Sequence, residues 1–189
     1  MIFSHVLYQL SYLGAVSSGR GLIAKIAASV QPRGAPDAAP AALAKRFADF
    51  GNDTIGRVDA KTGQATFYQT PTKMSRPRRG HMDAQDRFWF AEFFANGVGM
   101  LDPKSGWIKE WQVPTPWTAR YDAIVDKNGE VWTGGMTTDR VVRINADTGR
   151  AVEYPLPDNT NIRRVFVDDR TNPVTFWTGS NHGAAIVKD

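Results

Sequence analysis

The chain has 189 residues, 42% of them hydrophobic, with no cysteine and a formal net charge of +4. The lack of cysteine excludes a disulfide framework and a thiolate metal site, while this length and apolar content are enough to bury a sizeable core. The charge is modest, and its basic residues concentrate at Arg76, Arg78, Arg79, Arg120, Arg163 and Arg164.

Residues 1–44 read as a leader and linker, weakly ordered or helical. The segment from Val6 to Val16 is apolar, but its flank, Met1 to His5, has no Lys or Arg. It lacks the positive region of a signal peptide and is too short to span a bilayer, so no membrane partner is expected. Gly21 to Val30 fits a weakly amphipathic helix, and Gln31 to Ala42 is a Pro/Ala linker. The expectation is a soluble chain, cytoplasmic or periplasmic.

From Lys45 onward the chain repeats itself. Gly63, Gly106 and Gly149 recur every 43 residues, and Ile55, Val98 and Val141 keep that phase. So do Tyr68, Trp111 and Tyr154, and Pro71, Pro114 and Pro157. A period of about 40 to 45 residues built from short β segments with a Trp is the pattern of a propeller blade.

The earliest copy starts in mid-blade. Phe47-Ala-Asp-Phe50 aligns with Phe90-Ala-Glu-Phe93, and Arg46 takes the Trp position. The second copy is the clearest. Arg79 to Asp83 is a short inner strand, and the aromatic run Arg87 to Phe93 suits a pleated surface buried on both sides. Val98 to Leu101 is a third strand, and Asp102 to Gly106 a turn. Ile108 to Val113 alternates like a half-exposed outer strand, and Pro114 and Pro116 end it.

The third copy runs from Tyr121 to Pro157, with a hairpin at Asp126–Gly129. The fourth begins at Arg163, and its hairpin, Asp168 to Pro173, is longer: Trp132 and Trp177 are 45 residues apart, against 43 for Trp89 and Trp132. The fold expected over residues 45–189 is therefore all-β, a partial β-propeller of about three and a half four-stranded antiparallel blades. The mid-blade start suggests a chain start or upstream reading frame that does not preserve the ancestral domain. Uncovered edges and faces suggest self-association.

The phrases Trp89-Phe-Ala-Glu92, Asn96-Gly-Val-Gly99, Leu101-Asp102, Ser105-Gly106, Glu110-Trp111 and Val113-Pro-Thr-Pro116 resemble the blades of the virginiamycin B lyase (streptogramin lyase) family. The resemblance covers about residues 45–189. It implies a seven-bladed propeller and a C–O lyase that opens the ester of a cyclic depsipeptide by elimination, aided by magnesium. Elimination needs a base beside a carbonyl and an electrophile for the enolate. The resemblance implies a His following a Pro at the start of an inner strand, and the Glu that ends the Trp-Phe-x-Glu strand.

Glu92 matches that Glu and is the catalytic candidate. The Pro-His position holds Pro77-Arg78, and its equivalents are Tyr121 and Arg164. Arginine does not act as a base at neutral pH. His81, in an inner strand, reads as a residue hydrogen-bonded between blades, and His182 as a ligand contact or a turn residue in a Gly-flanked loop. Arg78, Arg79, Arg120, Arg163 and Arg164, with Tyr121, are candidate ligand-binding residues, since radial symmetry would gather them into a positive mouth for carboxylate or phosphate. The alternative is a solvated rim with Asp122, Asp168 and Asp169 as partners. The phase of Trp89, Trp132 and Trp177 assigns them to blade packing, so no nucleic-acid partner is expected. Two function classes remain: a lyase-like enzyme, or a non-catalytic propeller segment that binds an anionic small molecule or a protein partner, or else is an inactive truncated remnant.

Overall fold

A computed structural model describes residues 44–179. The leader up to residue 43 and the loop holding His182 lie outside the described residues. Ala44 already belongs to the first strand, β1 (Ala44–Asp49), which pairs with β2 (Thr54–Asp59) and β3 (Ala65–Gln69) in a three-stranded sheet. The second blade is β4 (Pro77–Met82), β5 (Phe88–Glu92), β6 (Gly97–Asp102) and β7 (Trp107–Gln112). The third is β8 (Arg120–Val125), β9 (Glu130–Gly135), β10 (Arg140–Asn145) and β11 (Ala151–Pro155), and the fourth shows β12 (Val165–Asp168) and β13 (Thr175–Thr178).

Every pairing is an antiparallel hairpin between sequence neighbours. The fold is therefore all-β, with four-stranded meanders as blades. No described helix is long and apolar enough to cross a membrane.

The repeat has a conformational basis. Gly63, Gly106 and Gly149 take φ of 70°, 74° and 74°, a left-handed turn that costs glycine little. Asp53, Asn96 and Asp139 stand at a second left-handed position in the same phase, with φ of 54°, 57° and 48°. Asp53 accepts hydrogen bonds from the Met74 and Arg76 amides, both 2.9 Å, and Asn96 accepts one from the Thr118 amide at 3.1 Å. These residues thus tie each blade to the connection that leads to the next.

Side chains alternate along each strand, so each blade has one side facing the preceding blade and one facing the following blade. Ile55, Phe88, Phe90, Leu101 and Ile108 form the core between the first and second blades. Trp89, Val98, Met100, Trp111, Ala123, Val131 and Val142 are among those filling the next gap, where Trp89 and Trp111 stack at 5.3 Å. Trp132, Val141, Ile162, Val165 and Val167 form the third. The indole nitrogens of Trp89 and Trp132 donate to Asp83 and Asp126 in their own hairpins, at 2.7 and 2.8 Å. Arg46, at the Trp position of the first blade, reaches Asp86 of the second with two hydrogen bonds of 3.1 and 2.8 Å.

Candidate functional site

Glu92 ends β5, opposite Pro77 of β4, on the side of the strand that carries Phe88 and Phe90 toward the first blade. It is fully buried, and its carboxyl oxygens accept no hydrogen bond among the described residues. Its Oε2 lies over Gly97, 3.0 Å from where a Cβ would stand there. Burial foremost, then a hydrogen bond shared with Glu110 and the negative charges of Glu110 and Asp53, pushes its pKa up to about 9. At neutral pH Glu92 therefore keeps its proton.

Both acidic neighbours are already engaged. Glu110 accepts hydrogen bonds from the Thr72 amide at 3.2 Å and the Thr72 hydroxyl at 2.6 Å. The two Asp53 oxygens hold the Met74 and Arg76 amides.

The inner-strand arginines part company. Arg78 is enclosed by aromatic rings, with its guanidinium carbon 4.7 Å from the Phe50 centroid, 4.8 Å from Phe93 and 4.4 Å from Tyr121. Arg79 lies 5.6 Å from the Tyr121 ring. Arg76 lies over Phe50 at 5.4 Å and donates to the Phe50 and Gly51 carbonyls. The structure thus gathers Arg78, Arg79 and Tyr121 and adds Phe50, Phe93 and Arg76.

Arg120 is not part of that group. It opens β8 opposite Gly135 and is fully buried in the gap between the second and third blades, with its three guanidinium nitrogens unpartnered. Burial lowers its pKa to about 10, and Glu153 partly opposes the effect. The expected mouth of convergent arginines therefore loses Arg120, because the small Gly135 leaves its side chain a path inward between the blades. Arg163 is exposed and donates to Asn161 at 2.9 Å, and Arg164 is exposed on the fourth blade.

The carboxylates considered as partners for these arginines are bound elsewhere. Asp122 meets His81, Asp168 meets Arg170, and Asp169 accepts from Lys127. His81 fulfils the inter-blade reading: its Nε2 is 3.1 Å from Asp122 Oδ1, joining β4 of one blade to β8 of the next. The aromatic cage around Arg78 was carried by a visible signal, the Phe50–Phe93 repeat, which marked phase without revealing that both rings turn toward one cation.

The chain matches the virginiamycin B lyase family over residues 34–187. It belongs to that family. A virginiamycin B lyase from Staphylococcus aureus superposes with a TM-score of 0.62 at 20% identity, over 71% of this chain and 44% of that one. A streptogramin B lyase gives 0.63 at 20% identity, over 76% and 46%. A catalytically inactive histidine-to-alanine variant of the Staphylococcus aureus lyase, with quinupristin, gives 0.61 at 28% identity, over 70% and 43%. The chain thus spans less than half the length of the solved lyases it matches. No curated protein sequence matches it.

The family implies magnesium, a hard cation that demands near-octahedral oxygen coordination. The residues around Glu92 do not fit it. Among the described residues no three His, Asp or Glu side chains lie close enough to hold a metal, and the Glu110 and Asp53 oxygens already accept amide and hydroxyl hydrogens.

Proposed function

We propose that this chain is a non-catalytic propeller arc of the lyase family that holds an anionic or depsipeptide ligand at the Arg78–Tyr121 cluster. The observation carrying this reading is the state of Arg78, at the position where the family resemblance implies a histidine. Its guanidinium accepts no proton at neutral pH. Three aromatic rings surround it, while no hydrogen bond from Arg78 is made among the described residues. The Arg78 Nε is buried without a partner, and a guanidinium stacked in this way presents its terminal N–H donors to a carboxylate or a carbonyl oxygen. Glu92, buried and protonated, supplies no base.

The elimination reading rests on a different pair. His81 is half-exposed and oriented by the buried Asp122, the arrangement a general base needs. One experiment separates the two. The full chain is titrated with a streptogramin B depsipeptide, with and without magnesium, and ring opening is followed by mass spectrometry. Binding without ring opening is expected, and Arg78→Ala weakens it by about tenfold or more. Ring opening lost in His81→Ala or Glu92→Gln would establish elimination instead, and absence of binding would remove the ligand reading.

A further inference from the structure

The Phe94 ring stands beside the Arg78 cluster with more than half of its surface in water. The repeat does not call for a phenylalanine there: the positions equivalent to Phe93–Phe94 hold Phe50–Gly51 in the first blade and Met136–Thr137 in the third. Thr137 turns its hydroxyl to the Trp117 carbonyl of the adjoining connection. Phe94 instead is 57% exposed, although its turn is firmly held, with the Phe93 amide donating to the Arg76 carbonyl and the Phe94 amide to the Ser75 carbonyl, both at 3.1 Å.

A single exposed apolar residue is ordinary. This one is continuous with a cationic site, since its ring lies 5.3 Å from Phe93 and 6.1 Å from Phe50, and those two rings lie against Arg78 at 4.8 and 4.7 Å. Met74, which adjoins Ser75 in the same connection, adds a second apolar side chain. It is 61% exposed, in a left-handed backbone of φ 56° that residues other than glycine enter at a cost.

Charge and shape together define what this surface takes. Arg78 makes no hydrogen bond among the described residues and its Nε is buried, so its terminal N–H donors face an incoming anion. Asp53, the carboxylate that reaches into this connection, is occupied by the Met74 and Arg76 amides. A carboxylate seated on Arg78 brings its substituent against the rings that flank the guanidinium, and an aryl substituent gains offset or edge contacts there. An inorganic anion makes no use of Phe94.

We propose, building on the anion-binding reading of this cluster, that its ligand is an aryl carboxylate, with the carboxylate on the terminal N–H groups of Arg78 and the aryl ring on Phe94. NMR titration of the full chain with phenylacetate and with acetate tests this. Phenylacetate should bind about tenfold tighter than acetate, in keeping with the apolar area that its ring removes from water, and should shift the amides of Phe93, Phe94 and Tyr121. Phe94→Ser should bring the ratio of the two affinities to about twofold or less, whereas Phe94→Tyr, which keeps a ring, should preserve it. Arg78→Ala should weaken both ligands by about tenfold or more. Equal affinities in the parent, a ratio that survives Phe94→Ser, or one that is lost in Phe94→Tyr would overturn the aryl subsite and leave Arg78 as a plain anion site. Failure of both carboxylates to bind, or indifference of both to Arg78→Ala, would overturn the anion reading and the subsite with it.

Discussion

Two buried ionisable side chains set the behaviour of this molecule at the scale of single residues. Glu92 has a pKa raised from 4.5 to about 9, first by burial. Between those values the unfolded chain has released the proton and the folded chain retains it. Stability attributable to Glu92 is therefore full below about pH 4.5, falls as pH rises, and levels off above about pH 9. The slope is at most about 1.4 kcal/mol per pH unit. Glu92→Gln should remove it, so the gap between variant and parent in urea unfolding widens from pH 5 to pH 9; parallel curves would count against a buried, protonated Glu92. Arg120 is the opposite case, a buried cation whose guanidinium nitrogens have no partner. Arg120→Met replaces it with an apolar chain of similar length. The change is expected to be neutral or to stabilise by about 1–3 kcal/mol in thermal unfolding, because an uncompensated buried charge is costly. A large loss of stability would instead reveal a partner for Arg120.

Blades are joined at the scale of elements by a clasp that recurs with the repeat. The Thr72 amide and hydroxyl donate to Glu110, and the Thr115 amide and hydroxyl donate to Glu153 at 3.1 and 2.5 Å, in each case from the connection after one blade to the outer strand of the next. Thr115→Val leaves Glu153 Oε2 with only Arg140, at 3.9 Å, and should cost about 1–2 kcal/mol in denaturant unfolding. No loss would mean that water replaces the hydroxyl without penalty. Much of this level was legible in the sequence. The 43-residue glycines located the turns, and alternation located β7. Trp89 and Trp132 were correctly assigned to packing and His81 to a bond between blades, whereas Trp177, assigned to packing with them, is 58% exposed. The site was less legible, because register does not say which way a long side chain turns. Arg78 and Arg120 are neighbours in the repeat by one position, yet one enters an aromatic cage and the other passes inward beside Gly135. The clasp was invisible for a similar reason: Thr72 and Glu110 are 38 residues apart and meet only once the blades stack.

Stacked modules that touch only their neighbours make stability at the scale of the whole molecule close to a sum of blade and interface contributions. The three interfaces are not equivalent. The one between the second and third blades holds the stacked Trp89 and Trp111, and Trp111 also donates to the Ala146 carbonyl at 3.1 Å. Trp111→Ala removes a large buried ring from the middle of the arc and should cost about 3–5 kcal/mol. Because that gap joins the two four-stranded blades, its loss should raise hydrogen exchange in both of them at once. The fourth blade is held differently. Its two described strands rest on the third blade through Phe176, Val165 and Val167, and a two-stranded hairpin has little stability alone. Phe176→Ala should therefore raise exchange in β12 and β13 first, at a denaturant concentration where β5 and β9 remain protected. Equal deprotection of β5 and β12 by Phe176→Ala would show that the arc opens as one cooperative body, and the nearest-neighbour account of its stability would have to be abandoned.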